Sequence, residues 1–164
     1  MEFMETSARC LILACGNTLR SDDGVGPNLA EWAAERFETN DDVRVVARQQ
    51  WTPDLAEDIA AADSVLFVDS SAGTVAGRVS LAAVPSNRGN ADPATHHFGT
   101  HHMAAHELLG LTRTLYGSMS AHAMLLTVGA GSTELGEDFS DPVEAALPRA
   151  RGVLEKAVLR FLAN

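Results

Sequence analysis

The chain has 164 residues, and 12 Lys+Arg against 22 Asp+Glu leave a formal charge of −10 at pH 7 with histidines neutral. That length suits one domain over residues 1–164, able to bury most of its extended surface without a metal or disulfide to hold it. The acidic balance argues against nucleic-acid binding, which depends on Lys and Arg neutralising phosphates, and 46% hydrophobic with 21% charged residues is a globular rather than a disordered composition.

Met1–Arg9 carries acidic residues and no long apolar stretch, so it reads as a frayed tail and not a signal peptide. No apolar run nears the roughly 18 residues of a membrane span. A cytoplasmic protein with no membrane partner is expected. Cys10–Cys15 is a short, continuously apolar run ended by Gly16 and Asn17, which predicts a strand buried on both faces. Its two cysteines should point to opposite faces as buried thiols. A polar loop over Thr18–Gly26 follows. Pro27 then opens a helix to Phe37, with Leu29, Trp32, Ala33 and Phe37 on one face.

Val43–Arg48 reads as a second strand. Thr52 and Pro53 have the form of an N-cap and a first helical proline, so a helix is expected to Ala62. Ser64–Asp69 is a third, fully apolar strand, and Arg78–Val84 a fourth. After a Gly/Asn/Pro-rich loop over Pro85–Thr100, a helix should run from His102 to Tyr116. Ala123–Val128 is the last strand. Asp141-Pro142-Val143-Glu144 has the form of a capping box opening a final helix, which Pro148 should kink or restart.

This alternation predicts an α/β fold: a three-layer α/β/α sandwich around a mainly parallel five-stranded sheet. The link from Asp69 to Arg78 is too short for a crossover helix, so the fourth strand is expected antiparallel and hairpinned to the third. Ligands of such sheets bind beyond the carboxyl ends of the strands. Asp22 and Asp23 lie in the loop leaving the first strand, and Asp69 ends the third. Each alone could be a helix-capping or turn residue. Together they would repel unless a cation lay between them.

All 6 histidines fall between His96 and His122, a clustering that suggests metal binding. Zn²⁺ or Ni²⁺ takes imidazole together with carboxylate. Other chemistries lack their motifs. His102 and His106 have the spacing of a helical zinc-protease pair, but Met103 replaces its glutamate. Gly24-Val25-Gly26 lacks the third glycine of a dinucleotide fingerprint, and no Walker A sequence is present, so no nucleotide is expected. There is no G-x-S-x-G elbow.

The stretch Gly16-Asn17-Thr18-Leu19-Arg20-Ser21-Asp22-Asp23-Gly24-Val25-Gly26-Pro27 resembles the opening signature of the hydrogenase maturation endopeptidases. Val65–Asp69 is similar to the family's second motif, and Thr100-His101 before a Leu-rich helix to its third. Val128-Gly129 and Gly136–Ala146 also fit. The resemblance implies a three-layer α/β/α enzyme that removes a C-terminal extension from the large-subunit precursor of a nickel–iron hydrogenase after nickel insertion. It implies Asp23, Asp69 and His101 as metal ligands and catalytic centre, with His102 the alternative to His101. Asn17 and Asp22 would orient ligands or contact substrate. The nickel would be borne by the substrate, with Zn or Cd able to substitute in vitro. Cys15 and Ser70 depart from the family pattern, which commonly has glycine and alanine there, and neither is among the implied ligands.

Two other readings use the same residues. One is a nickel-binding maturation chaperone or sensor without peptidase activity. The other is an enzyme of phosphorylated small molecules, against which the acidic pair stands unless Mg²⁺ intervenes.

Overall fold

The structure, a computed structural model, describes residues 8–85, 103–117 and 122–164. β1 (Cys10–Cys15) is buried at every position, as a strand covered on both faces must be. Alternation sends Cys10, Ile12 and Ala14 into one apolar cluster and Leu11, Leu13 and Cys15 into the other. The two thiols are free and on opposite faces. β2 (Val43–Arg48) and β3 (Ser64–Ser71) flank β1, both parallel to it. β5 (His122–Gly129) pairs parallel with β3, and β4 (Val79–Ala83) closes the edge, giving the order β2-β1-β3-β5-β4.

α1 (Val25–Arg36) and α4 (Asp141–Ala163) cover one face of the sheet, where Leu29, Ala33, Val143, Leu154 and Val158 meet Ile12, Leu66 and Leu126. α2 (Leu55–Ala60) and α3 (Ala105–Tyr116) cover the other, where Leu55, Ile59, Leu108 and Leu109 meet Leu13, Val65 and Phe67. The expected three-layer sandwich is the observed one. Among the described residues no helix is long and apolar enough to cross a membrane.

The fourth strand is antiparallel as expected, but its partner is β5 and not β3. Both edges of β3 are taken, by β1 and β5. Residues 72–78 carry the chain across the end of β5, where the Gly77 N–H donates to the Gly129 carbonyl at 2.8 Å and the Gly129 N–H to the Arg78 carbonyl at 2.8 Å. The roughly 10 Å across one intervening strand is well within reach of such a link. The inner place goes to β5, whose Leu126 and Val128 are buried, whereas β4 is mostly exposed.

Helix ends differ locally. α2 begins at Leu55 because the Thr52 hydroxyl bonds the Asp54 carboxylate instead of capping backbone amides, leaving a tight turn first. The N-cap of α4 is Ser140, not Asp141, and its hydroxyl is directed elsewhere. α4 runs without restarting through Pro148. Glu107 at the start of α3 reaches back to the Ala104 N–H at 2.8 Å, half of a capping box.

Candidate active site

β1 and β3 are adjacent, yet α1, which follows β1, and α3, which follows β3 and β4, pack on opposite faces. Connections that diverge in this way open a crevice at the carboxyl ends of the two strands. Two glycines let the loop after β1 fold tightly there. Gly16 has φ +151°, and a Cβ on it would lie 2.0 Å from the Asp23 carbonyl oxygen. A Cβ on Gly26 would lie 2.2 Å from the Cys15 carbonyl oxygen, so the first turn of α1 sits directly on the strand end. The intervening residues 21–24 form a 3₁₀ turn that carries both Asp22 and Asp23.

The two aspartates face different ways. Asp22 is fully buried. Its Oδ2 accepts from the Gly131 N–H at 2.7 Å, the Ser132 N–H at 2.9 Å and the Ser140 hydroxyl at 2.7 Å. Its Oδ1 accepts from the Ser140 N–H at 2.8 Å. Burial alone would raise this carboxyl, but the hydrogen bonds from Ser140, Ser132 and Gly131 outweigh it and hold the group below the usual carboxylate range. The geometry makes Asp22 a tie between the first loop and the β5–α4 loop.

Asp23 turns to the crevice. Its Oδ2 accepts the Asn17 N–H at 2.8 Å and its Oδ1 the Ser70 hydroxyl at 3.0 Å. Asn17 takes part through its backbone; its side-chain oxygen accepts the Leu19 N–H at 2.9 Å, an Asx turn that shapes the loop. Asp69 lies two positions beyond Phe67 on β3 and shares its face. Burial pushes its carboxyl up to about 7; hydrogen bonds from the Cys15 thiol and the Ser70 amide oppose the rise, and the charge of Asp23 adds to it. The Ser70 N–H donates to Asp69 Oδ1 at 2.8 Å. Cys15 comes next to Asp69 because Ala14 pairs with Val68 in the sheet register. Burial, then the Asp69 carboxylate, keep its thiol protonated well above the usual range.

The two residues that depart from the motif pattern, Cys15 and Ser70, thus both touch the candidate carboxylates. Nothing local in the sequence signals this, since Ser70 meets Asp23 across 47 positions. Ser140, also missed, has the signal of an N-cap residue before Asp141-Pro142, but its bond to Asp22 spans 118 positions. His101 and its alternative His102 lie outside the described residues, as do His96 and His97. Among the described residues no three His, Cys, Asp or Glu side chains are grouped to hold a metal ion. The pair present suits a share in one: the mutual repulsion of two like-charged carboxylates is relieved by a cation.

No family model and no curated protein matches the sequence. Solved structures do. The chain is similar to the hydrogenase-maturating endopeptidase HybD from E. coli, at 21% identity over 93% of each chain with a TM-score of 0.76. It is similar to the [NiFe] hydrogenase maturation protease HycI from Thermococcus kodakarensis KOD1, at 26% identity over 96% of this chain and 94% of that one, TM-score 0.68. The HybD protease of Thermococcus kodakarensis matches at 23% identity over 91% of this chain and 98% of that one, TM-score 0.67. Those neighbours are hydrolases by name, and in fold the chain groups with the hydrogenase maturation endopeptidases.

Proposed function

We propose that the chain is an endopeptidase that removes the C-terminal extension from the large-subunit precursor of a nickel–iron hydrogenase once nickel has been inserted. In this reading Asp23, Asp69 and His101 are the residues that meet the metal. Nickel arrives as part of the substrate, already held by the precursor's own side chains, and the protein adds two carboxylates and one imidazole. An empty precursor then lacks the anchor and is left uncut.

The observation that carries this reading is the Asp23–Asp69 pair. Asp23 sits in the turn that follows β1, and Asp69 does not end β3 as expected but lies two residues before its end, since pairing with β5 carries the strand on to Ser71; burial with mutual repulsion pushes Asp69 up to about 7. A cation docking between them discharges the proton from Asp69 and relieves the repulsion. Asp23 is held for that role by the Asn17 amide and the Ser70 hydroxyl, which occupy lone pairs on both oxygens while leaving others open. Asp22, fully engaged by the β5–α4 loop, supports the turn on which Asp23 sits.

The test is a processing assay with purified precursor, with and without nickel, followed by mass spectrometry. Loss of a C-terminal peptide only from the nickel-loaded form is expected, and Asp23→Ala should abolish it. An unchanged mass in both forms, with tight nickel binding by the protein alone, would replace this reading with that of a nickel-binding module.

A further inference from the structure

The sheet ends on two unlike edges. At one, β2 carries exposed Arg44 and Arg48, and Arg44 is paired with Asp58 at 2.6 Å. Charged side chains on an outer strand keep other chains from pairing with it. At the other, β4 and the Val84 that follows it have no charged residue and no proline before Pro85, and Ser80, Leu81, Ala82 and Ala83 are exposed. We propose that this bare edge takes an extended segment of the precursor as a further strand, the part lying just beyond the cut bond. The inference rests on the peptidase reading above and adds to it how the enzyme holds the chain that leads away from the metal.

The backbone of β4 is set for this. The Val84 N–H donates to the Ala123 carbonyl at 3.0 Å, and the Arg78 carbonyl accepts from the Gly129 N–H at 2.8 Å. Alternation along an antiparallel ladder turns the N–H and C=O of Ser80 and Ala82 to β5 as well, and those of Val79, Leu81 and Ala83 to the open side. Among the described residues no strand pairs with that side. Such a row of donors and acceptors matches the backbone of an incoming strand, whatever its side chains. Leu81, 38% exposed, shares a face with Val79 and would be covered by an apolar side chain of the added strand.

The edge is continuous with the candidate site. In the sheet register Asp69 pairs with Thr127, and Thr127 with Ser80, so a row of polar side chains leads from the carboxylate to the edge on one face. A strand added beyond β4 lies about 14 Å from β3, which about four extended residues span. β4 starts at the site end, where Val79 pairs with Val128, and runs away from it, so a segment coming from the metal adds parallel to β4. Backbone pairing there holds the chain extended across the site without fixing its sequence. A second copy of this chain fits less well, because two bodies of charge −10 repel and no charge on β4 offsets this.

Two measurements test this. In the first, the full chain labelled with ¹⁵N is titrated with a synthetic peptide spanning the precursor's own cut bond and C-terminal extension, and amide hydrogen exchange is followed. Exchange at Val79, Leu81 and Ala83 should slow by about ten-fold or more, with Ser80 and Ala82, which face β5, little changed. Leu81→Pro removes one outward N–H and spares the bonds to β5; it should weaken binding about ten-fold, while Leu81→Val should bind as the wild type does. Ala83→Pro, at the end of the strand, makes the same test if Leu81→Pro does not fold. No slowing at millimolar peptide, slowing centred elsewhere, or equal binding by the proline variants would each overturn the proposal. So would slowing that appears on concentrating the protein without peptide, with a two-chain mass in sedimentation, which would give the edge to a second copy.

In the second, nickel-loaded precursor is processed by the wild type, by Leu81→Val and by the proline variants. A KM raised about ten-fold in the proline variants is expected, with kcat held and Leu81→Val unchanged. An unchanged KM overturns the strand assignment and leaves the peptidase reading standing. No processing by the wild type overturns the peptidase reading, and the peptide titration then still decides whether the edge takes a strand.

Discussion

Asp22→Asn separates two adjacent aspartates that look alike in sequence. The Asp22 carboxylate accepts four hydrogen bonds, three on Oδ2 and one on Oδ1, from Gly131, Ser132 and Ser140. An asparagine has nearly the same shape, but its NH₂ cannot accept. Turned to keep its oxygen in the place of Oδ2, it sets an N–H against the Ser140 N–H; turned the other way, it opposes three donors. One lost bond with a buried donor unmet costs about 1–3 kcal/mol, and the three bonds that remain lose their charge assistance, about 1 kcal/mol each. The amide is easier to bury than the ion, which offsets part of this.

A net loss of roughly 3 kcal/mol follows, or a fall in Tm of roughly 6–12 °C for a chain of this size. The assay is urea unfolding followed by circular dichroism, with an unchanged slope and a lower midpoint. The Asp22 carboxyl is depressed in the folded state, so its contribution is present above the ordinary carboxylate range and is lost as pH falls through the folded value. The gap between wild type and variant should therefore stay constant from pH 8 to about 5 and close in stronger acid. Asp23→Asn, whose carboxylate has two such bonds and repels Asp69, should cost under about 1 kcal/mol while removing nickel-dependent processing. A fully stable Asp22→Asn protein that has lost processing would refute the division of roles.

Other outcomes follow from the same geometry. Gly26→Ala sets a Cβ 2.2 Å from the Cys15 carbonyl oxygen and should destabilise by about 3 kcal/mol, whereas Gly152→Ala, in α4 with nothing within 4 Å, should stabilise by about 0.5–1 kcal/mol; denaturant unfolding of both variants checks the pair. Asp69, pushed up to about 7, is raised in the folded state, so its contribution is full in acid below the ordinary range and is lost as pH rises through about 7. Asp69→Asn should then become more stable than wild type by up to about 4 kcal/mol at pH 8 and match it near pH 4, and a gap that does not grow with pH would exclude this. Cys10, pushed up to about 12 by burial, and Cys15 should resist iodoacetamide in the native protein and react in urea, as read by mass spectrometry.

Much of the architecture is written in short stretches. β1 and β2 occupy the residues their apolar patterns predict, and the last helix begins one residue before the start that Asp141-Pro142 announces. Hydrophobic periodicity and proline position act within a few residues, so they survive reading one segment at a time. The placing of Asp23 and Asp69 toward the same end of the sheet was legible for the same reason, since Asp23 follows a recognisable strand and Asp69 lies near the close of another, though β3 runs on to Ser71.

Tertiary structure decided the rest. Whether β4 joins β3 or β5 depends on which strand fills the inner edge of β3, a competition between segments more than forty residues apart. The contrast between Asp22, tied to Ser140, and Asp23, facing Ser70, arises from hydrogen bonds spanning 118 and 47 positions. So does the contact of Cys15 with Asp69, which follows only from the pairing of β1 with β3. A side chain's neighbours along the chain set its helix or strand, but its charge state and hydrogen-bond partners are set by whatever folding brings within about 3 Å, and that distance has no counterpart in sequence separation.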